Sequence, residues 1–125
     1  WNTADSVVQM LFPGAHADVG GGYPVEHNES GLSDIALQWM IEQLIKAGVR
    51  FVPSWADTIK PDPAGCAHQP WAHLPWTLPG VSLGARSFPE GLAKNPAIAA
   101  RKAAGAVVAE PGEPPAPYRP ANIPD

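Results

Sequence analysis

Val7, Val8, Met10, Leu11 and Phe12 form a β-prone apolar run that stops at Pro13. The run is continuous rather than alternating, which is the pattern of a strand covered on both faces in a parallel sheet. Proline has no N–H to give the ladder, so the strand ends there and the chain opens into a loop. That loop carries His16, Asp18 and the consecutive Gly20, Gly21 and Gly22. The glycines give the backbone access to positive φ and to close approach, and loops at strand ends are where α/β folds place their sites.

Two helices follow from pattern. Ser33 is expected to cap a helix starting near Asp34, whose carboxylate favours the amino-terminal end, and Gly48 to lie just past its close. Leu37, Met40, Ile41, Leu44 and Ile45 recur at the spacing of one helical face, with Ile35 and Trp39 widening the stripe. Core packing against a sheet is the expected use of that face. Asn95 followed by Pro96 is a cap and first-turn proline for a second helix reaching about Val108, weakened by Gly105. Phe51 and Val52 read as a short extended piece.

Sixteen prolines, many of them after residue 53, argue that the second half is largely irregular. Residues 61 to 91 read as a Trp- and Pro-rich wrap, and Glu110 to Pro117 as an extended proline tail. No internal repeat is visible. No apolar stretch approaches the roughly 18 residues of a membrane span, and the polar, unbasic start does not resemble a signal peptide. A net charge of −4 gives no basic face for nucleic acid. The lone Cys66 excludes an internal disulfide framework. A soluble protein, cytoplasmic or exported without a conventional signal peptide, is the expected class.

The segment FPGAHADVGGGY followed by LSDIALQWMIEQLIKAGVRF resembles the signature of the type VI secretion phospholipase effector-like α/β-hydrolases, once a domain of unknown function. In that family the wording is close to W-F-P-G-x-H-S-D-V-G-G-G-Y. Leu11 stands here where tryptophan is common and Ala17 where serine is common, and neither change touches the histidine. HQPWAHLPW, RSFPEGL, NPAIAAR and PYRPANIPD resemble the family's carboxyl-terminal portion in the same order, with Asn95 where a histidine is expected.

The resemblance implies that His16 is the base of a Ser-His-Asp triad in a bacterial lipid-degrading enzyme. In α/β-hydrolases the chain order is nucleophile, acid, histidine, with the nucleophile on a G-x-S-x-G elbow. The six serines, Ser6, Ser30, Ser33, Ser54, Ser82 and Ser87, include none in such an elbow. Nucleophile and acid are therefore expected upstream of Trp1, and the 125 residues alone are expected to be inert. Asp5 precedes a run that, as a strand, would span roughly 20 Å at about 3.3 Å per residue, which puts it at the wrong end. Asp18, two residues from His16, is expected to bond within the loop or cap the glycine turn, supporting the site together with Gly20, Gly21 and Gly22.

Other chemistries fit less well. Cys66, His68 and His73, even joined by His16 and Asp18, lack the paired spacing of a structural zinc site, and no metal or cofactor is expected. His27, His68 and His73 read as ordinary hydrogen-bonded or exposed imidazoles. The five tryptophans read as packing. The glycine run is neither a P-loop nor G-x-G-x-x-G, and the resemblance places it after the nucleophile, where the H-G-G-G oxyanion segment precedes it. Its expected role is turn geometry that also positions His16.

The sequence thus points to the carboxyl-terminal portion of an α/β-hydrolase: last strand, histidine loop, following helix, and an irregular Pro-rich wrap with a second helix. Residues 1–109 are assigned to the catalytic domain and 110–125 to the tail. Expected partners are the upstream part of the same enzyme and a lipid or ester substrate. The alternative is a non-catalytic binding module. A module would bury Val7, Val8, Met10 and the Leu37 helix, and a fragment would expose them. No second convincing strand is legible.

Overall fold

A computed structural model describes residues 7–123, so Asp5 and Ser6 lie outside the described residues. The architecture is mixed, with two short parallel strands, three α-helices and three short 3-10 segments among the described residues. Strand β1, Met10–Leu11, pairs with β2, Ala93–Lys94, in the register Met10 to Ala93 and Leu11 to Lys94. A pairing strand that sequence did not offer is therefore present. Ala and Lys carry little β-propensity, so pairing rather than composition makes β2 a strand.

Both strands are two residues long because both are closed off. Pro13 follows β1 closely, and β2 runs straight into a helix start. The last ladder bond is Asn95 N–H to the Leu11 carbonyl, 2.8 Å. Pro96 has no N–H to continue it. Asn95 then caps helix α3, Pro96–Ala103, its side chain accepting from Ala97 N–H at 2.9 Å. The helix stops five residues short of the expected Val108, before Gly105 at φ 78°. Ile98 from α3, Leu11 from β1 and Ile123 from the chain's end form the buried apolar cluster, flanked by Phe88 and Leu92.

His16–Gly20 forms a five-residue helix, α1, where a loop was expected. Helix α2, Gly31–Lys46, packs against it and begins three residues earlier than predicted. Ser33 is not the cap: it lies buried inside the first turn and its hydroxyl donates to the Ser30 carbonyl at 2.9 Å. The early start follows from Gly31, whose bare Cα admits the 62–66 turn. Asp62 N–H bonds the Gly31 carbonyl, Cys66 N–H bonds the Asn28 carbonyl, and Asn28 donates its side-chain amide to Asp62 at 2.7 Å.

A Cβ built on Gly65 would stand 3.0 Å from the Gly31 Cα and 3.1 Å from the Asn28 carbonyl oxygen and the Leu32 nitrogen, all backbone atoms. Gly65→Ala is therefore expected to destabilise by about 1–3 kcal/mol, as overpacking does. Denaturant unfolding of the protein carrying this chain checks it, and a midpoint unchanged from wild type would contradict so tight an approach.

The helix α2 stripe is the main departure. Ile41 is buried, but Leu37, Met40, Leu44 and Ile45 are exposed, and the buried side of α2 is Gly31, Leu32, Ser33 and Ala36. Val7 and Val8 are exposed as well, and Met10 is half-buried. Trp39 does pack, edge-on to Phe12 with ring centroids 5.5 Å apart. The 71–87 stretch of the wrap is irregular and exposed. Phe51 and Val52 join no strand, and a 3-10 segment occupies Pro53–Thr58. The tail is not simply extended: Ala116 bridges back to Val107, and Tyr118 covers the Arg101 guanidinium at 4.9 Å.

Arg101 anchors the wrap. It is 1% exposed and donates from Nη1 to the carbonyls of Pro63 and Gly65. Burial lowers its pKa, opposed by the nearby Tyr118, Asp18, Cys66 and Asp62. The guanidinium nonetheless stays charged at any pH a folded protein meets.

Candidate active-site histidine and its support

His16 is the first residue of α1, five residues beyond the end of β1, and it is exposed. The turn that puts it there passes through Pro13, which is buried, and Gly14 at φ 104°. No hydrogen bond or ion pair within the described residues engages the imidazole. An unengaged, solvent-facing imidazole at a strand end is free to exchange a proton with a reacting group.

Asp18 faces the other way. It is 0% exposed. One carboxylate oxygen, Oδ2, accepts Ala15 N–H at 2.7 Å, and the other, Oδ1, lies 2.6 Å from His68 Nδ1. An ionised carboxylate only accepts, so Nδ1–H is the donor. Asp18 thus takes up a free N–H at the start of α1, the work of a helix cap, from the N3 position. The fit is close: a Cβ built on Gly14 would stand 2.4 Å from the Asp18 Cβ, which with the positive φ explains a glycine there.

His68 is 6% exposed, and its Nε2 faces Glu29 Oε2 at 3.3 Å. The Tyr23 ring stacks on it, centroids 3.5 Å apart and planes 12° from parallel. Burial, and then the charges of Asp18, Glu110 and Glu29, raise the Tyr23 phenol above its ordinary pKa. Asp18 and His68 thus form a buried polar pair, with Glu29 partly buried beside them and Tyr23 stacked on His68. His68 is hydrogen-bonded, as expected of it, but its tie to Asp18 spans fifty residues and has no signature in sequence.

The glycine run divides. Gly21 and Gly22 take φ values of 88° and 124°, while Gly20 ends α1 without a positive φ. Gly21 N–H closes α1 by bonding the Ala17 carbonyl at 2.9 Å. Cys66 is buried, and burial raises its thiol pKa, followed by the charges of Glu29 and Asp18. His73 is exposed and bonds Glu110, tying the wrap to the tail and holding that carboxyl below its usual range. Among the described residues no group of three or more His, Cys, Asp or Glu side chains is arranged so that it could hold a metal ion. Within them no helix is long and apolar enough to cross a membrane.

Comparison with known proteins meets the chain at this site. Residues 2–43, spanning β1, α1 and most of α2, match the family model of the type VI secretion system phospholipase effector Tle1-like catalytic domain. An uncharacterized protein of Saccharomyces cerevisiae is 44% identical over 48 residues, a stretch covering 38% of this chain and 7% of that protein. No solved structure matches. The resemblance to the type VI secretion phospholipase effector-like family thus has its support over residues 2–43.

Proposed function

We propose that the chain, whose residues 2–43 fit the Tle1-like phospholipase catalytic domain, is part of a serine hydrolase of carboxylic esters in which His16 is the triad base. The observation that carries this is the coincidence of that match with an exposed His16, unengaged among the described residues, at the start of the helix that follows a parallel strand. The nucleophilic serine and the acid come from sequence preceding Trp1, because no serine here lies on a G-x-S-x-G elbow. The exposed Val7, Val8, Leu37, Met40, Leu44 and Ile45 support this over a self-sufficient binding module, since a larger enzyme would cover such side chains.

In this reading the His16 imidazole takes the serine proton as Oγ attacks the acyl carbonyl. As the tetrahedral intermediate collapses, the same proton passes to the departing alcohol oxygen and an acyl-enzyme remains. Water, deprotonated by His16, then attacks the acyl carbonyl, the acyl–Oγ bond breaks, the imidazolium returns the proton to the serine oxygen, and the carboxylic acid leaves. The substrate class proposed is phospholipid cleaved at an acyl ester.

The test is product analysis on phospholipid vesicles with the whole protein. Free fatty acid and lysophospholipid are expected in equal amounts. Release of a water-soluble phosphorylated head group, or no release of fatty acid, would overturn the acyl-ester assignment.

A further inference from the structure

We propose that His68 is a positioning residue for His16, acting through Asp18; the proposal rests on His16 being the triad base. His16 opens a helix of only five residues, too short to hold its own start by internal hydrogen bonds. What holds it is Asp18, one of whose oxygens takes the Ala15 N–H immediately before His16. A carboxylate with one oxygen so used could still swing about its bond to Cβ. The His68 Nδ1–H, 2.6 Å from the other oxygen, fixes it.

His68 is itself held in place. Tyr23 stacks on its ring and Glu29 faces its second nitrogen. The segment leading to it is stapled: Cys66 N–H to Asn28, Asp62 N–H to Gly31, and the Pro63 and Gly65 carbonyls to the buried Arg101. The position of His16 is thereby set by a side chain fifty residues beyond Asp18, held between the start of α2 and helix α3. Misplacement of a catalytic group by about 1 Å can cost on the order of a hundredfold in rate. Loosening the Asp18 carboxylate acts at that scale.

Two amide substitutions separate positioning from bulk packing. Asparagine places its side-chain N–H near the Nδ1 position and can still donate to Asp18. Glutamine reaches instead toward the Nε2 position and keeps only the Glu29 side. In the full-length protein, hydrolysis of a soluble short-chain ester is measured for His68→Gln, His68→Asn and His16→Ala, with thermal unfolding of each. For His68→Gln, kcat is expected to fall about ten- to a hundredfold with KM within about twofold, and His68→Asn to recover to within about threefold of wild type.

Wild-type kcat in His68→Gln overturns the proposal, as does His68→Asn no better than His68→Gln, or a loss carried by KM. Unfolding of both amide variants overturns it too, since the role is then only structural. His16→Ala separates the two readings. If it keeps full activity, the triad assignment itself has failed. If it is inactive while His68→Gln keeps wild-type kcat, only the role of His68 has failed.

Discussion

His16→Ala is expected to lower acyl-ester hydrolysis by about a thousandfold or more, with kcat rather than KM carrying the loss. In the proposed mechanism the imidazole moves the proton in both acyl-enzyme formation and breakdown, so its removal slows both steps. The fold should be indifferent to the change. His16 is exposed and makes no hydrogen bond or ion pair within the described residues, so alanine removes no buried contact, and alanine is the best helix former at the start of α1. Unfolding free energies of variant and wild type should agree within about 0.5 kcal/mol. A variant of normal stability that retains activity would remove His16 from the chemistry.

Asp18→Ala is the converse case, with the large effect on stability. The carboxylate is fully buried and serves two donors, Ala15 N–H and His68 Nδ1–H. Its removal strands both, leaves His68 buried opposite Glu29 alone, and opens a void beside Gly14. Each buried donor left without its acceptor costs about 1–3 kcal/mol, so with two donors stranded a loss of about 2–6 kcal/mol is expected. Asp18→Asn keeps the volume and one acceptor oxygen but turns an amide N–H toward one of the two donors, so an intermediate loss is expected. Urea unfolding of the whole protein gives the measure. A loss under about 1 kcal/mol for Asp18→Ala would mean that the cluster is not the anchor described here.

The contrast between these two neighbours was only partly legible in sequence. The end of β1 near Pro13 and the start of α3 at Asn95 and Pro96 could be read because proline and a capping side chain act locally. The existence of α2 could be read from its period, but its buried side could not. A 3.6-residue repeat shows that a face is apolar, not what covers it, and here Leu37, Met40 and Leu44 face outward. Strand β2 was invisible because two residues of Ala and Lys become a strand only by meeting β1.

The site divides in the same way. The place of His16, after a strand and before a glycine run, was legible, and its proposed role rests on a resemblance that the match over residues 2–43 supports. Asp18 was legible as a polar residue turned into its own loop, and it does accept the Ala15 N–H. Its second bond was not, because no local rule links residue 18 to residue 68 across an irregular, proline-rich segment. Pairings of that kind are set by the docking of the 62–66 turn against Gly31 and Arg101, a tertiary event.

The central claim is that His16 activates a serine supplied from outside these 125 residues. A fluorophosphonate, which modifies an activated serine at its Oγ, tests it on the whole protein by peptide mapping and by the rate of modification. One modified serine is expected, none of Ser6, Ser30, Ser33, Ser54, Ser82 or Ser87, with the rate in His16→Ala lower by about a thousandfold. Modification of one of those six serines, or an unchanged rate in His16→Ala, would contradict the account.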